Sequence, residues 1–415
     1  MRNTFIPASG QVIGEREKEY MHNAVDVGWL TAGAYNAQFE GRLGEYLGST
    51  DRPFSIPHPM VRTTNSGSSA NLLAFTALTS PTLGSRAIKP GDEVITVACG
   101  FPTTINPIIQ NGCVPVFVDV NSTLNIDTRA LEDAISPKTR AIMIAHTLGN
   151  PFNLEEVVPF AERHDLWLIE DCCDALGATW RGQKVGTFGH LATLSFFPAH
   201  HITMGEGGAV IINDTSLVRA VESFRDWGRD CWCSPGKDNT CGKRFDWQMG
   251  ELPCGYDHKY IFSHLGYNLK ITEMQAACGV AQLEQVDNFV AARRRNFEYL
   301  NHELSEHALN LVSPTVYPDA DPSWFGYPIW LTDVDFDRDT FVRYLNDNNI
   351  GTRLLFAGNV TKQPYMQGRN YRVVGDLRIS DDIMKNLLWI GVQPALTAEM
   401  LSYMVEKIDE FMGHF

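Results

Sequence analysis

Residues 194–210 read LSFFPAHHITMGEGGAV. The apolar residues at the start predict a buried strand, which Pro198 ends, and the glycines that follow predict a tight turn. His200 and His201 lie in the break, where the end of a strand usually presents side chains to a cleft. An imidazole there can move a proton near neutral pH. The competing interpretation of His200 is a buried histidine with a purely structural hydrogen bond.

Apolar strands alternate with helix-length segments between residues 92 and 213. The strand-like stretches are EVITVAC, PVFVDV, AIMIAH, LWLIEDCC, LATLSFF and AVIIN. This alternation predicts an α/β domain with a largely parallel sheet, helices on both faces and a ligand site at the C-terminal ends of the strands. A smaller α+β unit is predicted from about residue 314 onward, with YPIWL and GTRLLF as strands.

The composition excludes several classes of partner. The chain has 415 residues and a net charge of −15, without a run rich in lysine or arginine. We therefore expect neither nucleic acid nor an anionic membrane surface as a partner. No signal-like start and no membrane-length apolar run is found in the sequence, which predicts a cytoplasmic protein.

A phosphate site is one interpretation of the segment TTNSGSSANLLAFTAL, residues 63–78. Small and hydroxyl residues precede a predicted helix, whose free N–H groups could bind a phosphate together with Ser68 and Ser69. The alternative is an ordinary helix N-cap, where serine and asparagine are favoured anyway.

Four of the nine cysteines have a distinctive spacing. Between Cys173, Cys231, Cys233 and Cys241 lie 57, 1 and 7 residues. From spacing alone, a zinc site, an iron–sulfur cluster and unrelated buried thiols are comparable interpretations. The remaining cysteines are assigned to packing: Cys99, Cys113, Cys172, Cys254 and Cys278.

The segment around His200, the possible phosphate loop and the GYN triplet at 266–268 together resemble the DegT/DnrJ/EryC family of sugar aminotransferase-like enzymes. The resemblance covers nearly the whole chain from about residue 7. It implies an aspartate aminotransferase-like α/β fold, with a mostly parallel seven-stranded sheet and a small C-terminal α+β domain. We expect a large cofactor-binding domain over residues 1–285, including an irregular loop at about 225–260, and the small domain over 286–415.

The family also implies the roles of individual residues. Its members hold pyridoxal phosphate covalently on a lysine at the position of His200. Imidazole cannot form that bond, so the resemblance implies that pyridoxamine phosphate (PMP) binds noncovalently and that His200 is the catalytic base. The implied cofactor-binding residues are Gly67, Ser68, Ser69, Phe101, Asp171, Asp174, Ser195 and Asn268. The candidate substrate contacts are His201, Lys270 and Arg353.

Four of these residues need comment. Phe101 would stack on the cofactor ring, although a core phenylalanine is the commoner fate. Asp174 stands where the family often has glutamine or histidine, and Lys270 stands where it usually has arginine, so a bidentate contact there is in doubt. In the implied homodimer with shared active sites, Asn268 would contact the phosphate of the other chain's cofactor.

His200 and the four cysteines together resemble one branch of the family, the 3-dehydrases of 3,6-dideoxyhexose formation. That resemblance implies a [2Fe–2S] cluster on Cys173, Cys231, Cys233 and Cys241, beside the ring held by Asp171. It implies a nucleotide-diphosphate 4-keto-6-deoxyhexose substrate, CDP-linked, that loses its C3 hydroxyl. It also implies an NADH-dependent iron–sulfur flavoprotein reductase as the electron-donating partner.

Three alternatives remain at this stage. One is a cluster-free relative that acts on GDP-4-keto-6-deoxymannose and regenerates its cofactor with glutamate; the four cysteines oppose it. A second is an ordinary sugar aminotransferase, which the missing lysine opposes. The third is a non-catalytic regulatory subunit, which the retention of Asp171, Ser195 and the phosphate loop opposes.

Overall fold

A computed structural model describes residues 4–48, 58–233, 236–308, 310–332 and 334–414. Within these ranges the α-helices are α1 Glu15–Val27, α2 Ala34–Leu47, α3 Gly67–Ala77, α4 Pro102–Gln110, α5 Leu131–Ala134, α6 Leu154–Arg163, α7 Val218–Arg225, α8 Glu273–Leu283, α9 Val286–Glu303, α10 Arg338–Asp347, α11 Arg378–Asn386 and α12 Ala398–Met412. None of the helices described is both long enough and apolar enough to cross a membrane.

The strands form one large sheet and two smaller ones. They are β1 Met60–Thr64, β2 Glu93–Val97, β3 Val114–Val118, β4 Thr139–Ala145, β5 Trp167–Asp171, β6 Thr179–Trp180, β7 Gln183–Lys184, β8 Leu191–Ser195, β9 Gly208–Ile212, β10 Leu311–Val312, β11 Ala320–Asp321, β12 Gly326–Leu331, β13 Thr352–Leu354, β14 Arg372–Val373 and β15 Leu387–Gly391. All six strand-like stretches between residues 92 and 213 are strands in the structure.

The large sheet has the order β1-β9-β8-β5-β4-β2-β3-β14. The pairs from β8 to β14 are parallel, and β9 runs antiparallel to both of its neighbours. Strands β5, β8 and β9 are buried along their whole length, as expected when helices cover both faces of a sheet. The α/β fold class predicted from the sequence is confirmed.

The sheet has one strand more than predicted. Seven strands come from residues 60–212, and the two-residue β14 adds an eighth at the edge beside β3. The sequence pattern did not reveal β1, MVRTT, because its short run contains an arginine and two threonines. Its neighbour β9 supplies the hydrogen bonds and the apolar contacts that make it a strand.

The C-terminal part builds a second, antiparallel sheet, β10-β12-β15-β13, with its own apolar core. Helix α12 packs against α9 and α10 beside that sheet. Strand β14, however, belongs to the large sheet although it lies in the C-terminal part. The domain division at 285/286 therefore stays a prediction.

The connection between β8 and β9 follows the predicted pattern. Strand β8 ends at Ser195 and β9 begins at Gly208, and the intervening turn uses Gly205 at φ +79°, which favours glycine. His200 and His201 therefore lie at the end of a buried strand. The region from about 225 to 260 is largely irregular where it is described, also as predicted. Its base is pinned by a bridge between Asp226 and Asn268.

Candidate active site

A cavity of about 580 Å³ opens at the C-terminal ends of β4, β5 and β8. Its lining includes the predicted residues Gly67, Ser68, Phe101, Asp171, Cys173, Asp174, Ser195, His200 and Arg353. It also includes Asn71, Thr104, Phe325 and Trp389, which sequence reasoning missed. The tertiary fold thus brings residues as far apart in the chain as Gly67 and Trp389, 322 positions, to one cleft.

Asp171 is a buried carboxylate with fixed orientation at the base of this cavity. Its Oδ2 accepts hydrogen bonds from Asn71 Nδ2 at 2.9 Å and from Thr104 Oγ1 at 2.7 Å. Its Oδ1 accepts the N–H of Cys173 at 3.1 Å. Asn71 is itself held by Thr193 Oγ1 at 2.6 Å. Such a network can present a carboxylate to a cationic ring nitrogen without rotational freedom.

The N-terminus of α3 forms one wall of the cavity. Ser66 is the N-cap, and its side chain accepts the N–H of Ser69 at 3.0 Å. Ser69 was predicted to bind a phosphate, but its hydroxyl bonds to the Ser66 hydroxyl at 3.0 Å and does not line the cavity. Of the predicted phosphate group, Gly67, Ser68 and Ser195 do line it. Ser69 thus takes part in the helix cap, and its contact with a phosphate stays a prediction.

Gly67 allows α3 to approach β8 closely. A Cβ at Gly67 would lie 2.5 Å from Ser195 Cβ and 2.8 Å from Ser195 Oγ. We expect Gly67→Ala to lower the free energy of unfolding by about 1–3 kcal/mol, because the helix must shift away from the strand. Urea unfolding measures this loss.

The matched control is Gly41→Ala. Gly41 lies in α2, and nothing lies within 4 Å of a Cβ there. Alanine favours a helix over glycine by about 1 kcal/mol, so this variant should be unchanged or slightly more stable. Equal unfolding midpoints for the two variants would contradict the role given to Gly67.

His200 lies between a carboxylate and an aromatic ring. Its Nδ1 is 3.4 Å from Asp174 Oδ1, and its ring centroid is 5.1 Å from that of Phe325. The guanidinium of Arg293, which is fully buried, donates to the carbonyls of Ala199 at 3.1 Å and His200 at 3.0 Å. With Nδ1 facing Asp174, Nε2 is the nitrogen available to a bound molecule.

His201, a predicted substrate contact, is not among the residues that line the His200 cavity of about 580 Å³, and its substrate role stays a prediction. It is buried, and its Nε2 bonds to the carbonyl of Ser323 at 2.9 Å. Since a carbonyl only accepts, Nε2 carries the proton. Burial lowers the pKa of His201 well below its usual value, and Arg293 adds to that shift. In this structure His201 is therefore a neutral imidazole held by one hydrogen bond to the backbone.

Lys270, a predicted substrate contact, lines a second cavity of about 640 Å³ that does not include His200, so its substrate role stays a prediction. Its Nζ donates to Asp226 Oδ1 and to Asn268 Oδ1 at 2.9 Å, and it lies 3.7 Å above the ring of Trp227. Lys270 thus pins the base of the irregular loop. The contact of Asn268 with a neighbouring chain's cofactor stays a prediction.

Three of the four predicted metal ligands lie in the irregular loop together with a histidine. The ligand atoms of Cys231, Cys233 and His258 all lie within 4.8 Å of one another, and Cys241 Sγ is 3.5 Å from His258 Nε2. Burial opposes ionisation of Cys233, but hydrogen bonds led by Thr240 lower its pKa to about 6. A thiolate is the form that binds metals.

Cys173 lies outside this group of donor atoms, so its role as a fourth metal ligand stays a prediction. It lines the His200 cavity, where its N–H is held by Asp171, whereas Cys231 and Cys233 line the second cavity. The separation arises because Cys173 is fixed at the end of β5 and the other cysteines belong to a loop that is anchored at Asp226. Burial, with Asp171 adding to it, raises the pKa of the Cys173 thiol well above its usual value.

His258 was missed because it follows Cys241 by 17 residues and lies outside the cysteine spacing. It is buried and packs between Trp232 and Trp247, with ring centroids 6.0 and 5.8 Å away. Of the cysteines assigned to packing, Cys99, Cys113, Cys172 and Cys278 are buried, and only Cys254 is exposed, so that assignment was wrong for Cys254.

Known proteins similar to this chain share its fold and most of its length. The chain is 59% identical over 410 residues to the lipopolysaccharide biosynthesis protein RfbH of Salmonella typhimurium (strain LT2), covering 98% of this chain and 92% of RfbH. It is 49% identical over 413 residues to dTDP-4-dehydro-2,6-dideoxy-D-glucose 3-dehydratase of Saccharopolyspora spinosa, covering 99% and 87%.

A solved structure of the E. coli GDP-4-keto-6-deoxy-D-mannose-3-dehydratase with bound hydrated PLP has a TM-score of 0.85 and 27% identity, covering 98% of this chain and 100% of that one. The DegT/DnrJ/EryC1/StrS aminotransferase family matches residues 11–409. A match over nearly the full length, together with relatives well above 30% identity, means that the chain belongs to the DegT/DnrJ/EryC1/StrS aminotransferase family.

Proposed function

We propose that this chain is a PMP-dependent 3-dehydrase that removes the C3 hydroxyl of a nucleotide-linked 4-keto-6-deoxyhexose. The observation that carries the proposal is His200, an imidazole in the cavity where the family has its cofactor-binding lysine. The 3-dehydratase activity of the relative from Saccharopolyspora spinosa supports the same reaction class. An aminotransferase would need the lysine.

The lining of the cavity fits the cofactor. Asp171 would hold the protonated ring nitrogen, since its carboxylate is buried and fixed by three donors. Phe101, about half exposed at the mouth, would stack on the ring. The first turn of α3, with Gly67 and Ser68, and the nearby Ser195 would receive the phosphate. When bound, PMP would supply an amine that condenses with the sugar ketone and a ring that takes up negative charge when a proton is removed, and that charge then drives the C3 hydroxyl out.

The residues of the chain then have distinct tasks. His200 moves the proton through Nε2, the nitrogen that does not face Asp174. Arg353 lies in the same lining and would bind the diphosphate of the substrate. Half-exposed apolar groups at the mouth, Phe197 and Leu354, would exclude water around the sugar.

We further propose that the irregular loop holds a [2Fe–2S] cluster on Cys231, Cys233 and Cys241, which an NADH-dependent iron–sulfur flavoprotein reductase supplies with electrons. The support is the cluster of soft donors in the loop, with Cys233 inclined to be a thiolate. Replacing the C3 hydroxyl by hydrogen consumes two electrons and two protons and releases water, so the reaction needs such a reductant. Cys173, the fourth ligand that the resemblance implies, lines the other cavity.

CDP as the nucleotide, as in CDP-6-deoxy-L-threo-D-glycero-4-hexulose 3-dehydrase, remains part of the proposal, as does a homodimer in which Asn268 reaches the phosphate of the neighbouring chain's cofactor. In a single chain the cavity lining contains Arg353 as a cation and no lysine among the residues described. A partner's contribution near the phosphate would complete the site.

Anaerobically purified protein tests the proposal. We expect iron and sulfide with visible absorption, and, after addition of PMP, reductant and candidate CDP-, GDP- or dTDP-linked 4-keto-6-deoxyhexoses, a product that has lost one oxygen atom by mass spectrometry. The nucleotide that reacts identifies the substrate. Retention of all oxygen atoms with every candidate would overturn the proposed reaction.

The second candidate is a cluster-free 3-dehydratase. The separation of Cys173 from the other three cysteines favours it, as does the fold shared with GDP-4-keto-6-deoxy-D-mannose-3-dehydratase. Deoxygenation that proceeds with glutamate and without iron or a reductase would select this candidate. Dependence on iron and reductase selects the first.

A further inference from the structure

Two neighbouring side chains of the cavity, Asp174 and His200, each have a buried polar atom without a hydrogen bond. Asp174 Oδ2 and His200 Nδ1 have no hydrogen-bond partner, while Asp174 Oδ1 lies 3.4 Å from His200 Nδ1. Leaving a buried polar group unsatisfied costs about 1–3 kcal/mol. A small rotation of either side chain would turn this contact into one hydrogen bond, and catalytic hydrogen bonds often tighten only when the ligand is bound.

We propose that Asp174 is a positioning residue that accepts the Nδ1–H of His200 and so fixes the tautomer in which Nε2 is free to take a proton. The inference rests on the proposed function of His200 as the proton-transferring group. It gives Asp174 a different task from the cofactor contact that the family resemblance implied. It also explains why a carboxylate, which can only accept when ionised, suits this position better than an amide.

The other degrees of freedom of His200 are already restricted. Its backbone N–H donates to the Phe197 carbonyl at 2.9 Å, and its carbonyl accepts from Arg293. Arg293 Nη1 also donates to the Phe325 carbonyl at 3.1 Å. One guanidinium therefore links the backbone of His200 to the backbone of Phe325, whose ring lies against the imidazole. These bonds fix the backbone of His200, and Asp174, 3.4 Å from Nδ1, is placed to set the orientation of the imidazole.

Asp174 also acts on the charge of Arg293. Burial lowers the pKa of Arg293 to about 10, and attraction to Asp174 opposes that shift. Removing the carboxylate therefore affects both the imidazole and the buried cation. A test that separates the two must compare a variant that keeps the charge, Asp174→Glu, with one that removes it, Asp174→Asn.

Nitrogen-15 NMR of the PMP-loaded enzyme with labelled histidine reports the tautomer directly, with the His200 signals assigned by their loss in His200→Asn. We expect His200 to carry its proton on Nδ1 in the wild type and to lose that preference in Asp174→Asn. His201, whose Nε2 is bonded to the Ser323 carbonyl, provides the opposite tautomer as an internal reference. A wild-type His200 protonated on Nε2, or a tautomer unchanged in Asp174→Asn, would overturn the inference.

Kinetics provide the second readout. Asp174→Asn should lower kcat by about 10²-fold with KM changed less than about threefold, and Asp174→Glu should recover about tenfold of the loss. An equal loss of kcat in Asp174→Asn and Asp174→Glu, together with loss of bound PMP, would mean that Asp174 has a merely structural role. If His200→Asn is inactive while Asp174→Asn is fully active, only this inference fails; if His200→Asn is itself active, the proposed function fails.

Discussion

His200→Asn is expected to lower the rate of C3 deoxygenation by at least about 10³-fold while the protein still binds its cofactor. Asparagine is close to histidine in size but has no nitrogen that can accept a proton. The contacts expected to hold the cofactor, through Asp171 and the first turn of α3, do not involve the imidazole. Single-turnover assays with mass spectrometry measure the rate, and ultrafiltration with absorbance measures bound PMP.

The control is the same substitution at the next residue. His201→Asn leaves the Ser323 carbonyl without its donor, which should cost about 1–3 kcal/mol of stability. The folded fraction should keep its deoxygenation rate, because His201 bonds away from the reacting groups. Full activity in His200→Asn would remove the proposed base, whatever the result for His201→Asn.

Cys233→Ser is expected to remove the iron, the sulfide and the visible absorption from the anaerobic protein, from about two irons per chain to nearly none. A serine hydroxyl is a far poorer ligand for iron than the thiolate that the surroundings of Cys233 favour. Multiple turnover with the reductase should stop, and PMP binding should persist, because the loop and the His200 cavity are separate.

Cys254→Ser is the matched control, since Cys254 is exposed and belongs to no donor group among the residues described. It should retain all of its iron. Zinc without iron in the wild-type protein would refute the redox part of the proposal. The same iron measurement on Cys173→Ser and His258→Ala identifies the fourth ligand. The residue whose replacement causes the loss of iron is that ligand.

The comparison of His200 with His201 shows where local sequence stops being informative. Both histidines follow the same strand and precede the same glycine turn. The sequence pattern therefore predicts a side chain in the cleft equally for either of them. Only the packing of Arg293 and Ser323 decides that one faces the cavity and the other a carbonyl. Asn71 and Thr104 were missed for the same reason, because their hydrogen bonds to Asp171 span 100 and 67 residues.

By itself, the sequence determined the α/β class, the strands from 92 to 213 and the identity of the residue that replaces the lysine. These depend on local hydrophobic period, on turn residues and on chemical identity, all of which can be read along the chain. Only the tertiary structure decided that Ser69 serves the helix cap, that Lys270 pins a loop, and that Cys173 lies apart from three cysteines which gather with His258. Those outcomes depend on which distant elements of the chain pack together. The number of residues between two positions does not give their distance in space once a loop of tens of residues lies between them.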